Sequence, residues 1–87
     1  MSRLSAHKTV LIVNPKSANA TVGRNWIKID QEIRRGLKTE YDVRFTERQG
    51  HATSIAQELI KDGYDLVVAV GGDGTINEVV NGFFDKE

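Results

Sequence analysis

The sequence predicts a three-layer, doubly wound α/β fold on a parallel sheet, with the pattern β-α-β-α-β-α and strand order 2-1-3. Three observations carry this expectation. Val10-Leu11-Ile12-Val13 and Leu66-Val67-Val68-Ala69-Val70 are unbroken apolar runs, as strands covered on both faces are. Tyr41-Asp42-Val43-Arg44-Phe45 alternates apolar with charged residues, which suits a strand at a less protected edge. After each run, apolar residues recur at helical spacing, and right-handed crossovers then place the first and second helices on opposite faces of the sheet.

The length of 87 residues allows one domain, which buries only about 60 to 65% of its unfolded surface. Hydrophobic residues make up 39% and charged residues 28%, the balance of a folded globular chain rather than a disordered one. Cysteine is absent, which excludes disulfides and thiol chemistry. The longest apolar run, Leu66 to Val70, falls far short of the ~20 residues of a membrane span, and no signal-peptide pattern opens the chain, so a cytoplasmic location is expected. Residues 1 to 50 hold ten Lys and Arg against five Asp and Glu, while 51 to 87 hold two against seven. A basic first half can attract a polyphosphate or an anionic membrane surface, or can be solvated helix faces partly paired with the acidic half.

Taken in order, Met1 to His7 is a short polar start, and the strand from Lys8 to Val13 ends at the Asn14-Pro15 turn. After a polar loop from Lys16 to Thr21, Val22, Trp26, Ile29, Ile33 and Leu37 share one face of a helix ending near Lys38, with Trp26 as a core anchor. The alternating strand ends at Thr46. Ala52, Ile55, Ala56, Leu59 and Ile60 then stripe a second helix that stops at Gly63, placed for a C′ cap. The third strand passes directly into Gly71-Gly72-Asp73-Gly74-Thr75-Ile76-Asn77-Glu78-Val79-Val80-Asn81-Gly82, a glycine turn followed by a helix that Asn81-Gly82 is expected to close.

That turn is the strongest chemical signal in the chain. Gly71, Gly72 and Gly74 permit positive φ and let backbone N–H groups approach an anion, with the positive end of the helix dipole behind them. Thr75 and Glu78 form the Thr-x-x-Glu pattern of a capping box. In strand order 2-1-3, Asn14, Thr46 and Gly72 to Thr75 converge at the carboxyl ends of the strands, where open α/β sheets bind ligands. Neither a Gly-x-x-x-x-Gly-Lys-Ser/Thr loop nor a Gly-x-Gly-x-x-Gly fingerprint is present, and no His/Cys cluster points to zinc.

Together with Asn14-Pro15-Lys16-Ser17 and Thr46-Glu47-Arg48-Gln49-Gly50-His51-Ala52, the glycine stretch resembles the N-terminal part of the diacylglycerol kinase catalytic domain, shared by bacterial lipid kinases and by sphingosine and ceramide kinases. Where the family continues from Ser to Gly, Ser17 is followed here by Ala18 and Asn19. The resemblance implies that residues 1 to 87 are the N-terminal nucleotide-binding part of a larger kinase domain, incomplete and inactive alone. It implies that Asn14 lies beside ATP, that Thr46 contacts it, and that Gly72, Asp73, Gly74, Thr75, Ile76, Asn77 and Glu78 form the phosphate loop and helix start. Asp73 is then the candidate ligand of Mg²⁺. No residue of the chain matches the family's catalytic base. The implied partners are ATP, a lipid substrate reached through a downstream domain and a peripheral membrane surface, with no nucleic acid; the open edge of the third strand invites self-association.

Each of these residues also has a plainer reading. Asp73 can be a turn former, Glu78 a cap alone, Thr46 a strand end, Lys16 a solvated loop lysine, and His51 either an anion donor or an exposed residue at a helix start. Gly-Gly-Asp-Gly-Thr occurs in NAD kinases too, and a non-catalytic nucleotide-binding module remains a further alternative.

Overall fold

The structure is a computed structural model that describes residues 8–84; the polar start expected over Met1 to His7 lies outside the described residues. Three parallel strands, β1 (Thr9–Val13), β2 (Asp42–Phe45) and β3 (Leu66–Val70), form one sheet in the order β2-β1-β3. Leu11 stands beside Val43 on one side and Val68 on the other, and Val13 beside Phe45 and Val70. The three strands therefore end level, and the loops that follow them emerge side by side.

Central β1 is buried at all five positions, because helices cover both of its faces. Its side chains divide by the two-residue period of a strand. Val10 and Ile12 join Ala52, Ile55, Ala56, Leu59 and Val79 on the face covered by α3 (His51–Lys61) and α4 (Asp73–Phe84). Leu11 and Val13 turn the other way, toward Tyr41 and the half-buried Val22, Trp26 and Ile33 of α1 (Ser17–Arg24) and α2 (Trp26–Leu37). This is the expected doubly wound arrangement. Burying an aliphatic side chain is worth about 1.5 to 3 kcal/mol, so β1 concentrates much of the stability of a thin core. β3 is covered less well, leaving a groove of about 350 Å³ between it and α4, lined by Val67, Ala69, Ile76, Val79, Val80 and Phe83.

Tyr41 fastens α2 to its face of the sheet. Its hydroxyl donates to the Asp30 carboxylate and lies 3.2 Å from the Asp30 carbonyl, while the Arg34 guanidinium stacks 4.4 Å from the ring centre and bonds Asp30 at 3.1 Å. Burial, reinforced by the Asp30 bond, pushes the Tyr41 hydroxyl up to about 12.

Three local expectations are corrected. The single helix expected from Val22 to Lys38 is broken at Asn25, whose non-helical backbone closes α1 and opens α2. Asn favours such positions because it is a poor helix-interior residue. The polar loop from Lys16 to Thr21 is instead wound into α1, through Ala18, Asn19 and Ala20 in the left-handed region. Gly82 does not end the third helix: α4 runs on to Phe84, and a Cβ at Gly82 would lie 2.7 Å from the Ala56 Cβ and 2.9 Å from the Thr53 carbonyl. The glycine is there so that α3 and α4 can approach closely. Gly63, by contrast, has φ +94 just beyond α3, as a C′ cap requires.

Candidate functional site

The loops after the three strands enclose a cleft of about 360 Å³, of a size used for small-molecule ligands. Its floor is a hydrogen-bonded knot at Asn14. The Asn14 N–H donates to the Val70 carbonyl at 2.9 Å, tying the end of β1 to the end of β3. Its side-chain oxygen accepts the Lys16 N–H at 3.0 Å, and its amide nitrogen donates to the Thr75 hydroxyl at 3.3 Å. Ser17 completes the junction, its hydroxyl accepting the Gly72 N–H at 3.2 Å. The second wall starts at buried Thr46, whose N–H donates to the Val13 carbonyl at 2.8 Å.

The glycines serve space rather than unusual φ. Gly71, Gly72 and Gly74 do not take positive φ; among described glycines only Gly50 and Gly63 do. A Cβ at Gly71 would meet the Thr75 hydroxyl at 2.5 Å and the Ser17 hydroxyl at 2.9 Å, so this position is a close approach of two loops. At Gly72 and Gly74 a Cβ would meet nothing within 4 Å, and both line the cleft. Their missing side chains keep the mouth of the cleft clear beside the backbone.

The expected capping box does not form. The helix α4 begins at Asp73, three residues earlier than the box requires, with the Thr75 and Ile76 N–H groups both donating to the Gly72 carbonyl at 3.1 and 3.2 Å. Asp73 and Gly74 therefore carry the first-turn amides that helix geometry leaves without an intrahelical acceptor. They point the positive end of the α4 dipole at the cleft. The Glu78 carboxylate reaches across to α3 instead, accepting the Gly50 N–H at 2.9 Å and the Ala52 N–H at 3.3 Å.

The structure brings Asn14, Thr46, Gly72, Gly74, Thr75 and Glu78 together on the cleft wall, with Lys16, Ser17, Glu47, Arg48, Gln49 and Ala52. Asp73 is exposed at the rim between two lining glycines, Asn77 is exposed outside the lining, and Ile76 faces the apolar groove on the other side of α4. Sequence reasoning gave Ser17 no role, although its spacing from Asn14 places its N–H 3.2 Å from the Asn14 carbonyl and so signals the turn that aims its hydroxyl. Arg48 and Gln49 belong to the Thr46-to-Ala52 stretch that carries the resemblance, but no site role was assigned to either. His51 does not line the cleft; its Nδ1 accepts the Glu47 N–H at 2.9 Å, which puts the proton of the neutral ring on Nε2.

The donor set can be tested against Mg²⁺. Among the described residues no three His, Cys, Asp or Glu gather as a metal cage. A single rim carboxylate nevertheless fits this ion, which is commonly held by one or two carboxylates together with substrate phosphates and water.

The sequence matches the family described as the diacylglycerol kinase catalytic domain over residues 8–87, nearly its whole length. The chain belongs to that family. Among relatives of the diacylglycerol kinase family, it is 39% identical over 77 residues to a diacylglycerol kinase of Staphylococcus haemolyticus, covering 87% of this chain and 23% of that protein. It is 28% identical over 82 residues to sphingoid long chain base kinase 4 of Schizosaccharomyces pombe, covering 94% of this chain and 18% of that one. A crystal structure of a diacylglycerol kinase from Bacillus anthracis superposes with TM-score 0.71 at 35% identity, over 90% of this chain and 28% of that one. The chain thus spans between 18% and 28% of the length of these family members. Among the described residues no helix is long and apolar enough to cross a membrane.

Proposed function

We propose that residues 1 to 87 form the N-terminal nucleotide-binding part of a cytoplasmic lipid kinase that transfers the γ-phosphate of ATP to a lipid hydroxyl such as that of diacylglycerol. The observation that carries this reading is the first turn of α4: the Asp73 and Gly74 amides open beside Gly72 and Gly74, over a cleft where added Cβ atoms would stand in free space. The family's name and those of its relatives favour phosphoryl transfer to a lipid. In this reading ATP lies over Asn14 and Thr46, with its phosphates against Gly72, Asp73, Gly74 and Thr75. Asp73 is the residue that would hold Mg²⁺ together with the phosphates, and the ion would there supply positive charge against theirs.

Transfer forms a bond between the lipid oxygen and the γ-phosphorus, breaks the β,γ-bridge to release ADP, and sends the hydroxyl proton to a base. No cleft residue is assigned as that base. Because Lys16, Glu47, Arg48, Gln49, Gly72 and Gly74 of the cleft are exposed, ATP is only partly enclosed, and the 87 residues alone should bind it weakly, with a dissociation constant on the order of a millimolar, equivalent to about −4 kcal/mol. Amide NMR titration with MgATP is expected to shift Asn14, Thr46 and Gly72 to Thr75. Incubation with labelled ATP and diacylglycerol micelles is expected to yield no labelled lipid. Shifts scattered away from the cleft would refute the nucleotide site, and turnover would refute the placement of the base elsewhere.

A further inference from the structure

Besides α1, whose first turn is wound through the left-handed region, two helices begin at this cleft, and the structure treats them in opposite ways. At α4 the first-turn residues Asp73 and Gly74 are exposed, and helix geometry leaves their amides without an intrahelical acceptor. At α3 the N-cap is Gly50, which has no side chain to cap with and takes φ +85. The missing cap comes from another helix, through the two Glu78 oxygens on the Gly50 and Ala52 N–H groups. A third bond runs in the same direction, from the Thr53 hydroxyl to the Glu78 main-chain carbonyl at 2.7 Å. One helical turn on, Gly82 brings α4 against Ala56 and the Thr53 carbonyl. Glu78 thus sits where the two helices are locked, and the loop from Thr46 to Gly50, with Arg48 and Gln49 on the cleft wall, ends at the amide it holds.

We propose that Glu78 is a positioning residue whose carboxylate serves as the built-in anion of the α3 N-terminus. It fixes the loop from Thr46 to Gly50 against α4 and reserves the α4 N-terminus as the one place in the cleft where a phosphate settles. The proposal rests on the nucleotide reading above and refines it, since a carboxylate already holding two amides contributes geometry and not a contact to phosphate. Its negative charge on the cleft wall also turns a second phosphate away from α3.

The test uses the full chain and three amide readouts. Without ligand, Glu78→Ala should speed hydrogen exchange at Gly50 and Ala52 by about five- to tenfold, the usual size of a lost N-cap, and Glu78→Gln, which keeps an acceptor oxygen, by much less. Titration with inorganic phosphate should shift the Asp73 and Gly74 amides in the parent chain. In both variants it should also shift Gly50, His51 and Ala52, because the vacated or uncharged helix end now accepts an anion. MgATP affinity should fall about tenfold in Glu78→Ala and be largely restored in Glu78→Gln. Unchanged exchange at Gly50 and Ala52 in Glu78→Ala overturns the proposal. So does an equal loss of ATP affinity in both variants, the mark of direct ligand contact. Should Glu78→Ala fail to fold, the phosphate shifts in Glu78→Gln decide alone, and their absence at α3 counts against it. A parent chain that ignores ATP overturns the nucleotide reading, while the ligand-free exchange still decides what Glu78 holds.

Discussion

The loop after β3 and the loop after β1 invert the usual relation between glycine and backbone conformation. Gly71-Gly72-Asp73-Gly74 has three glycines and no positive φ, whereas Ala18-Asn19-Ala20 has no glycine and three consecutive residues with φ between +56 and +68. The first loop needs space and the second stores strain. A left-handed alanine costs roughly 1 to 2 kcal/mol, so the β1 loop must be held from outside. It is held by the Ala20 N–H on the Lys16 carbonyl at 3.0 Å, the Gly23 N–H on the Pro15 carbonyl at 2.9 Å and the Arg24 guanidinium on the Asn19 carbonyl at 3.2 Å. What these bonds secure is Ser17, which meets the Gly72 N–H from the opposite loop. Substitutions in the two loops should accordingly fail or succeed for different reasons.

The largest effect is expected at Gly71. Even alanine would bring a Cβ to 2.5 Å from the Thr75 hydroxyl and 2.9 Å from the Thr75 Cβ, atoms pinned by the Asn14 knot. Gly71→Ala should cost about 1 to 3 kcal/mol of stability, as overpacking does, and lower the urea midpoint without changing the slope of the transition. A midpoint equal to that of the parent would show that the two loops yield freely. Gly74→Val comes next and separates binding from folding. Its Cβ enters open space, so the helical circular dichroism and urea midpoint should hold, while the side chain fills the approach to the first-turn amides. ATP affinity should drop more than tenfold, beyond about 1.4 kcal/mol. Undiminished affinity by calorimetric titration would move the phosphate away from α4.

These two glycines also mark how far the sequence could be read. Strand order followed from Leu66 to Val70 and Asp42 to Phe45, because burial on one face or two leaves a period in the chain itself. The convergence of Asn14, Thr46 and Gly72 to Thr75 followed from that order. Which job each glycine does was not legible, since the need for Gly71 lies in the Ser17 and Thr75 hydroxyls and the need for Gly82 in Ala56 and the Thr53 carbonyl. Glu78 shows the same limit. A Thr-x-x-Glu spacing describes a local partner, and the better acceptor geometry was offered by amides 28 and 26 residues away. Local rules gave way wherever α3 and α4 touch. The break at Asn25 was hidden because Val22 and Trp26 keep the helical spacing across it, although both pack on the same cluster.

The smallest expected effect lies in the strained loop, and its sign is the informative part. Ala18 has φ 56 and ψ 48 and is exposed, so replacing it with glycine removes a methyl group that has little packing to lose. Relief of left-handed strain should contribute about 1 to 2 kcal/mol. Against this, the more flexible unfolded chain takes back about 0.4 to 1 kcal/mol. The net is a stabilisation of about 0.5 to 1 kcal/mol, read as a higher urea midpoint at unchanged slope. Asn19→Gly in the same turn should give less, because asparagine tolerates the left-handed region through local hydrogen bonding. Equal gains at the two positions would mean that unfolded-state or loop-wide effects outweigh the alanine penalty. A loss at Ala18 would show that the Ala18 methyl group helps hold the turn that presents Ser17 to Gly72.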